Sequence, residues 1–194
     1  MRTRTSIGMI LCLFAFAGCT IKVQPSVGGP YKTYPRSRRI PKRCVVQIEG
    51  PETLQFETGP LFYTFKHHVN IRTAMKNALQ KGLQETFQKV EFPVSASALD
   101  QISKDDVALV VKVLDMQMQY GATEFNKDSA WVEIEVAIKS GPAAAPVQQR
   151  IRGTALTSAA LRDVNKTCGG AIIQAVDQLN KYIDENRSSF LPSP

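Results

Sequence analysis

The sequence predicts an α+β domain: an antiparallel sheet of about five strands with two helices packed on one face, in the order β-β-α-β-β-β-α. Three observations carry that reading. Segments alternating apolar with polar residues recur between positions 44 and 157, two longer segments repeat their apolar residues every three or four positions, and Gly or Pro stands between them. The 194 residues are 43% hydrophobic and 8% aromatic, enough apolar material for one core of ordinary domain size and too much for a disordered chain.

Cys44-Val-Val-Gln-Ile-Glu49 and Thr53-Leu-Gln-Phe-Glu57 both alternate, with Gly50-Pro51 between them as a breaker, and predict two short strands joined as a hairpin. Asn70 stands before Ile71, Ala74, Met75, Ala78, Leu79, Leu83, Phe87 and Val90, an apolar stripe opposed by Lys76, Gln80, Lys81 and Gln84. That is an amphipathic helix with an Asn N-cap, stopped before Pro93. Three strands follow at Asp106–Gln119, Ala130–Lys139 and Val147–Thr157. In the second, Val132, Ile134, Val136 and Ile138 share one face while Glu133, Glu135 and Lys139 share the wet one. Val107–Val111 is apolar on both parities, as a central strand requires. Gly121 with Asn126–Ser129, and the run from Gly141 to Pro146, supply the hairpin turns. A second helix is written in Leu161, Val164, Cys168, Ile172, Ala175, Val176, Leu179 and Ile183. Gly169-Gly170 inside it costs about 1 kcal/mol per glycine relative to alanine, so close packing of the helix backbone against the sheet is expected there.

The formal charge of +7 is not evenly spread. Residues 1–43 hold nine Arg or Lys and no acid, whereas the rest of the chain holds 15 bases against 17 acids. The folded part is therefore close to neutral, and no nucleic-acid partner is expected. Arg2 and Arg4 precede the apolar run Ile7–Ala17, followed by Gly18 and Cys19. A basic start, a short apolar centre and small residues before a cut site make a secretory signal, and the run is too short for the roughly 20 residues that span a bilayer. Phe16-Ala17-Gly18-Cys19 resembles the lipobox of bacterial lipoproteins. That resemblance implies removal of a signal peptide at 1–18 and acylation of Cys19, the palmitate-bearing membrane anchor. In Gram-negative lipoproteins Thr20 after the cysteine resembles the outer-membrane default, with the domain facing the periplasm; in a Gram-positive cell the same anchor faces outward from the only membrane.

Residues 19–43 then read as the lipidated Cys and a basic, Pro/Gly-rich tether, with Pro25, Pro30, Pro35, Pro41 and Gly28-Gly29, leaving 44–194 as a single periplasmic domain. Such a tether reaches on the order of 70 Å when extended. Its cluster Arg36, Arg38, Arg39, Lys42 and Arg43 suits contact with anionic lipid, or simply solvation. With Cys12 discarded and Cys19 acylated, Cys44 and Cys168 remain as an even pair; an oxidising compartment predicts a disulfide between them, against two separate buried thiols.

Catalytic signatures are not found. His67-His68 point to opposite sides of an extended segment with no further ligand at metal spacing, so no metal or cofactor is expected. Glu133 and Glu135, about 7 Å apart on one strand face, read as a solvated surface rather than a glycosidase pair. No nucleophile elbow, zinc helix or phosphate loop occurs. Trp131, Tyr120 and Phe125, with Met116 and Met118, gather around one hairpin and are the candidate partner surface. In outline, with Arg152-Gly-Thr-Ala-Leu-Thr-Ser158 running into Ile172–Ile183, the chain resembles the small Gram-negative lipoproteins of the YajG type and, more distantly, LptE. The resemblance implies a non-enzymatic accessory or assembly factor for other envelope components, held to the membrane by Cys19 and working with an envelope protein partner. The alternative is a lipid- or glycan-binding lipoprotein.

Overall fold

The computed structural model describes residues 20–33, 35, 38–58, 65–93, 102–121, 127–158 and 163–191. Along the chain come β1 (Thr20–Val23), β2 (Ile40–Glu49), β3 (Leu54–Thr58), β4 (Phe65–Val69), α1 (Ile71–Leu83), β5 (Phe87–Glu91), β6 (Asp106–Gln119), β7 (Lys127–Ser140), β8 (Val147–Ser158) and α2 (Val164–Glu185), closed by a 3₁₀ turn at Arg187–Phe190. The class is α+β. A five-stranded sheet is ordered β5-β2-β6-β7-β8 and a three-stranded one β1-β4-β3. The helices lie side by side on one face of the larger sheet, α2 over β7 and β8 and α1 toward β2 and β5.

The long hairpins follow their alternation. Ala130, Val132, Ile134, Val136 and Ile138 of β7 are all buried beneath the helices. In β6 the buried parity is Val107, Leu109, Val111 and Val113, then changes to Met116 and Met118. A bulge between Val113 and Asp115 absorbs one residue and so shifts which side chains face inward. Gly141, at φ +80°, turns β7 into β8.

The expected hairpin between the first two strands does not form, and the larger sheet is mixed rather than antiparallel. β2 runs parallel to both β5 and β6, while β3 pairs antiparallel with β4. Cys44, Val45 and Val46 are buried whichever face they point to, the pattern of an interior strand covered on both faces. At Gly50, φ +104°, the chain leaves the sheet against the Val113 carbonyl, 3.0 Å from where a Cβ would stand. The first helix ends at Leu83, and Phe87 and Val90 belong to β5. Their three-residue spacing continued the helical stripe by coincidence, and Phe87, fully buried, fills the sheet edge beside Ile40. Both helix starts are capped by side chains, Asn70 Oδ1 accepting from Thr73 N at 3.2 Å and Asp163 Oδ1 from Lys166 N at 3.0 Å. Leu161, expected in the second helix, lies outside the described residues.

Residues 20–32 are not a free tether. β1 pairs parallel with β4, Val23 and Val27 are buried in the core, and Ser26 N donates to Asn165 O at 2.9 Å. Farther on, Tyr31 donates its hydroxyl to Val27 O at 2.9 Å, where burial and then Asp177 push the phenol up to about 12. Lys32 N reaches Asp177 Oδ1 at 3.4 Å, and Ile40 N donates to Thr86 O at 2.8 Å. The prolines that suit a linker equally suit an extended strap, whose backbone needs few partners of its own. This strap runs from Asn165 at the start of α2 to Gly82 near the end of α1 and Asp177 on α2.

Glycines make the close approaches. Gly169 does pack tightly, but against the backbone of Ser26 in the strap, and Gly170 lies against Ala155 Cβ of β8. Gly153 in β8 meets the α2 backbone at Ala171 and Ala175. Where the helices approach, fully buried Asn180 donates to Gly82 O at 3.1 Å and accepts from Thr86 Oγ1 at 2.9 Å, satisfying the end of α1.

Candidate functional site

The register of the strands gives the molecule two ends. At one, β2 and β6 begin and β7 finishes, with Arg43 beside Asp106, Val107 opposite Ser140 and Arg39 beside Glu85. At the other, β6 finishes at Gln119 opposite Ser129, and β8 runs up to Ser158 opposite Lys127. Eleven residues of β7 separate Ser140 from Ser129, which is roughly 35 Å of strand. The smaller sheet lies at this second end. His67, paired in register with Ile21 and Phe56, reaches Tyr120 just beyond β6.

The basic cluster occupies the first end and is largely engaged. Arg39 pairs with Glu85 at 2.8 Å, and Lys42, buried, extends Nζ to Ser140 Oγ at 3.4 Å. Arg43 forks onto Asp106 at 2.5 and 3.0 Å and onto Glu91 at 3.3 Å. The Arg43 guanidinium, with the Ser103 amide, holds the Asp106 carboxyl down at about 2. Arg38 is exposed, and Arg36 lies outside the described residues.

The aromatic group expected as a partner surface is divided between faces. Met116 and Met118 point into the core. Trp131 stands on the helix-free face of the sheet with the Arg152 guanidinium 4.2 Å from its ring centre, a cation–π contact. Tyr120 turns instead toward His67, and Phe125 lies outside the described residues. On the same helix-free face Glu133 is ion-paired with Arg150, so the Glu133/Glu135 pair is part of a charged surface ladder.

His67 is fully buried. Its Nε2 lies 2.7 Å from Thr58 Oγ1 and 3.3 Å from the Tyr120 hydroxyl, its ring stacks on Phe56 at 5.0 Å, and Nδ1 has no hydrogen-bond partner. Burial lowers its pKa below the ordinary 6.5, favouring the neutral ring. Above 6.5 neither folded nor unfolded His67 carries a proton. As pH falls from 6.5 through the lower folded value, the unfolded chain binds the proton first and stability is lost. Urea midpoints between pH 7.5 and 5 are expected to fall with a contribution of at most about 1.4 kcal/mol per pH unit, and His67→Gln is expected to remove that contribution.

Cys44 and Cys168 are both buried free thiols, not a disulfide. Cys44 pairs with Val107, level with Ser140; Cys168 lies in the first turns of α2, where Thr167 Oγ1 meets Thr157 Oγ1 at 2.5 Å and Thr157 faces Asp128. The two therefore sit near opposite ends of the sheet, on the order of 30 Å apart, where a bridge needs Cα atoms within about 7 Å. Burial pushes the Cys168 thiol up to about 12 and the Cys44 thiol higher still. Thiol titration is expected to find both unreactive in the native protein and both reactive in denaturant; a protein without free thiols after denaturation contradicts this arrangement.

Between strap and α1 runs a shallow groove of about 460 Å³ lined by Pro25, Val27, Gly28, Asn77, Gln80 and Lys81. Its lining is mixed, with the helix side polar. Among the described residues no cluster of His, Cys, Asp and Glu is arranged to hold a metal, and no helix is long and apolar enough to cross a membrane.

No protein-family model matches the chain, and no curated protein matches it. Similar folds do occur among solved structures. A Xanthomonas campestris protein described under the family-model DUF330 aligns over 89% of this chain and 97% of its own, with TM-score 0.50 and 11% identity. A minor lipoprotein from Acinetobacter baumannii aligns over 77% and 95%, with TM-score 0.42 and 11% identity. Lipoprotein GNA1162 from Neisseria meningitidis aligns over 77% and 99%, with TM-score 0.33 and 9% identity. At such identities likeness is one of fold, and it rests on the first of the three.

Proposed function

We propose that this protein is a bacterial envelope lipoprotein, acylated at Cys19 and held at the outer membrane facing the periplasm, where it acts as a non-enzymatic accessory or assembly factor for other envelope components. One observation carries the reading: the basic, apolar and small-residue order of positions 2–18 ends at a cysteine in Phe16-Ala17-Gly18-Cys19. Several acyl chains on one residue, at about 0.8 kcal/mol per buried CH₂, anchor a protein almost permanently. The accessory role is supported by how the residues with chemical potential are used: His67 is packed inside the smaller sheet and Glu133 is neutralised by Arg150.

The test is purification of the intact protein from its own envelope, beside Cys19→Ser. The expected result is an acylated Cys19 peptide by mass spectrometry, palmitate incorporation that Cys19→Ser abolishes, and a stoichiometric protein partner. An unmodified Cys19 overturns the lipoprotein reading. A preparation carrying only lipid or glycan replaces the accessory role with ligand binding.

A further inference from the structure

From the position of β1 we infer that the domain is seated directly on the bilayer, with the end of the three-stranded sheet at Thr20, Thr58 and Phe65 facing the lipid and the Arg38–Arg43 end pointing away from it. This rests on acylation of Cys19. Residue 19 is joined to Thr20, and successive Cα atoms are about 3.8 Å apart. Thr20 is already the first residue of β1, in register with Lys66 of β4, and Lys66 is in register with Glu57 beside Thr58. No slack remains between the lipidated residue and the folded domain.

The strap that follows is fixed along its course. It passes Asn70 at Val23, Gly169 at Ser26 and Gly82 at Tyr31 before β2 begins at Ile40. The basic cluster, only about twenty residues from Cys19 in sequence, is thereby carried to the far end of the sheet, roughly 35 Å of strand away. Acyl chains in the membrane and Arg43 on the head groups are incompatible with a rigid domain standing on its β1 end. Among the described residues the exposed cations toward the lipid-facing end include Lys22, Lys66, Lys127 and Lys166, with Lys66 3.7 Å from Glu57. The partner of this surface is thus a phospholipid head-group layer.

The experiment uses the full lipidated chain in vesicles of phosphatidylethanolamine and phosphatidylglycerol carrying head-group nitroxides. A fluorophore is attached at Lys66→Cys or at Lys81→Cys, exposed in the last turn of α1, leaving buried Cys44 and Cys168 unlabelled. Mass spectrometry of the Cys19 peptide is read on the same samples. Quenching several-fold stronger at 66 than at 81 is expected, and a Gly/Ser insert of about 20 residues between Cys19 and Thr20, long enough to wander some 25 Å, is expected to erase the difference. Equal quenching at the two sites with Cys19 acylated overturns the seating, as does a difference that survives the insert. Absence of the acyl group overturns the lipoprotein reading instead.

Discussion

A chain beginning at residue 33 is expected to be unfolded, or destabilised by several kcal/mol, relative to one beginning at residue 20. The removed segment holds Val23 and Val27, 2% and 7% exposed, and packs half-buried Ile21 and Tyr31 on the same core. Burying one aliphatic side chain fully is worth about 1.5–3 kcal/mol, so the two valines alone account for some 3–6 kcal/mol. Deletion also exposes Gly169 and the partners of Ser26 and β4. A small domain has about 5–15 kcal/mol in total. Urea denaturation of the two soluble chains, both lacking the signal, measures the difference directly. Equal midpoints with equal slopes mean that residues 20–32 contribute no more than a linker would.

That segment also shows where the sequence was readable and where it was not. β7 was legible because its long alternation of Val132, Ile134, Val136 and Ile138 with polar residues fixes its faces, and β6 because its run of apolar residues on both parities marks a central strand; the bulge after Val113 lies in register, which composition does not show. Asn70 announced α1 through the cap chemistry of its side chain. Of the four- and five-residue strands only β3 carries readable alternation, in Thr53–Glu57. β1, β4 and β5 take their strand character from partners distant in sequence: Phe65–Val69 shows in sequence only as an extended segment with two histidines, and Phe87 and Val90 continue the helical stripe of α1. A strap and a linker are written in the same prolines; what separates them is the burial of Val23 and Val27 in the core. The same holds for the candidate sites. Whether Cys44 and Cys168 meet depends on strand register across β2, β6, β7 and β8, and adjacency in composition carries no register. Trp131 and Tyr120 stand close in sequence around one hairpin, yet Trp131 faces away from the helices while Tyr120 closes over His67.

Gly153→Ala is the smallest change expected to have a large effect. In a strand, alanine is ordinarily better than glycine by roughly 0.5–1 kcal/mol, because glycine loses more freedom on folding. Here the sign reverses. A Cβ at 153 would stand 2.5 Å from Ala175 N and 2.7 Å from Ala175 Cβ, and closer still to the Ala171 carbonyl. Two of those atoms belong to the helix backbone and the third is a Cβ fixed to it, none of which can rotate aside as a longer side chain does. To admit the methyl, α2 must lift from β8, weakening the contacts of Ala171 and Ala175 with the sheet and the bonds that Gln174 and Gln178 make to Thr154 and Arg152. Overpacking of an ordinary core costs about 1–3 kcal/mol; against backbone the expected loss is about 3 kcal/mol or more, and Gly153→Val should not fold. Gly28→Ala is the control, since a Cβ there meets nothing within 4 Å. Thermal and urea unfolding of both variants decide the matter: a large drop confined to Gly153→Ala is expected, whereas two neutral variants would mean that α2 does not rest on β8 through this glycine.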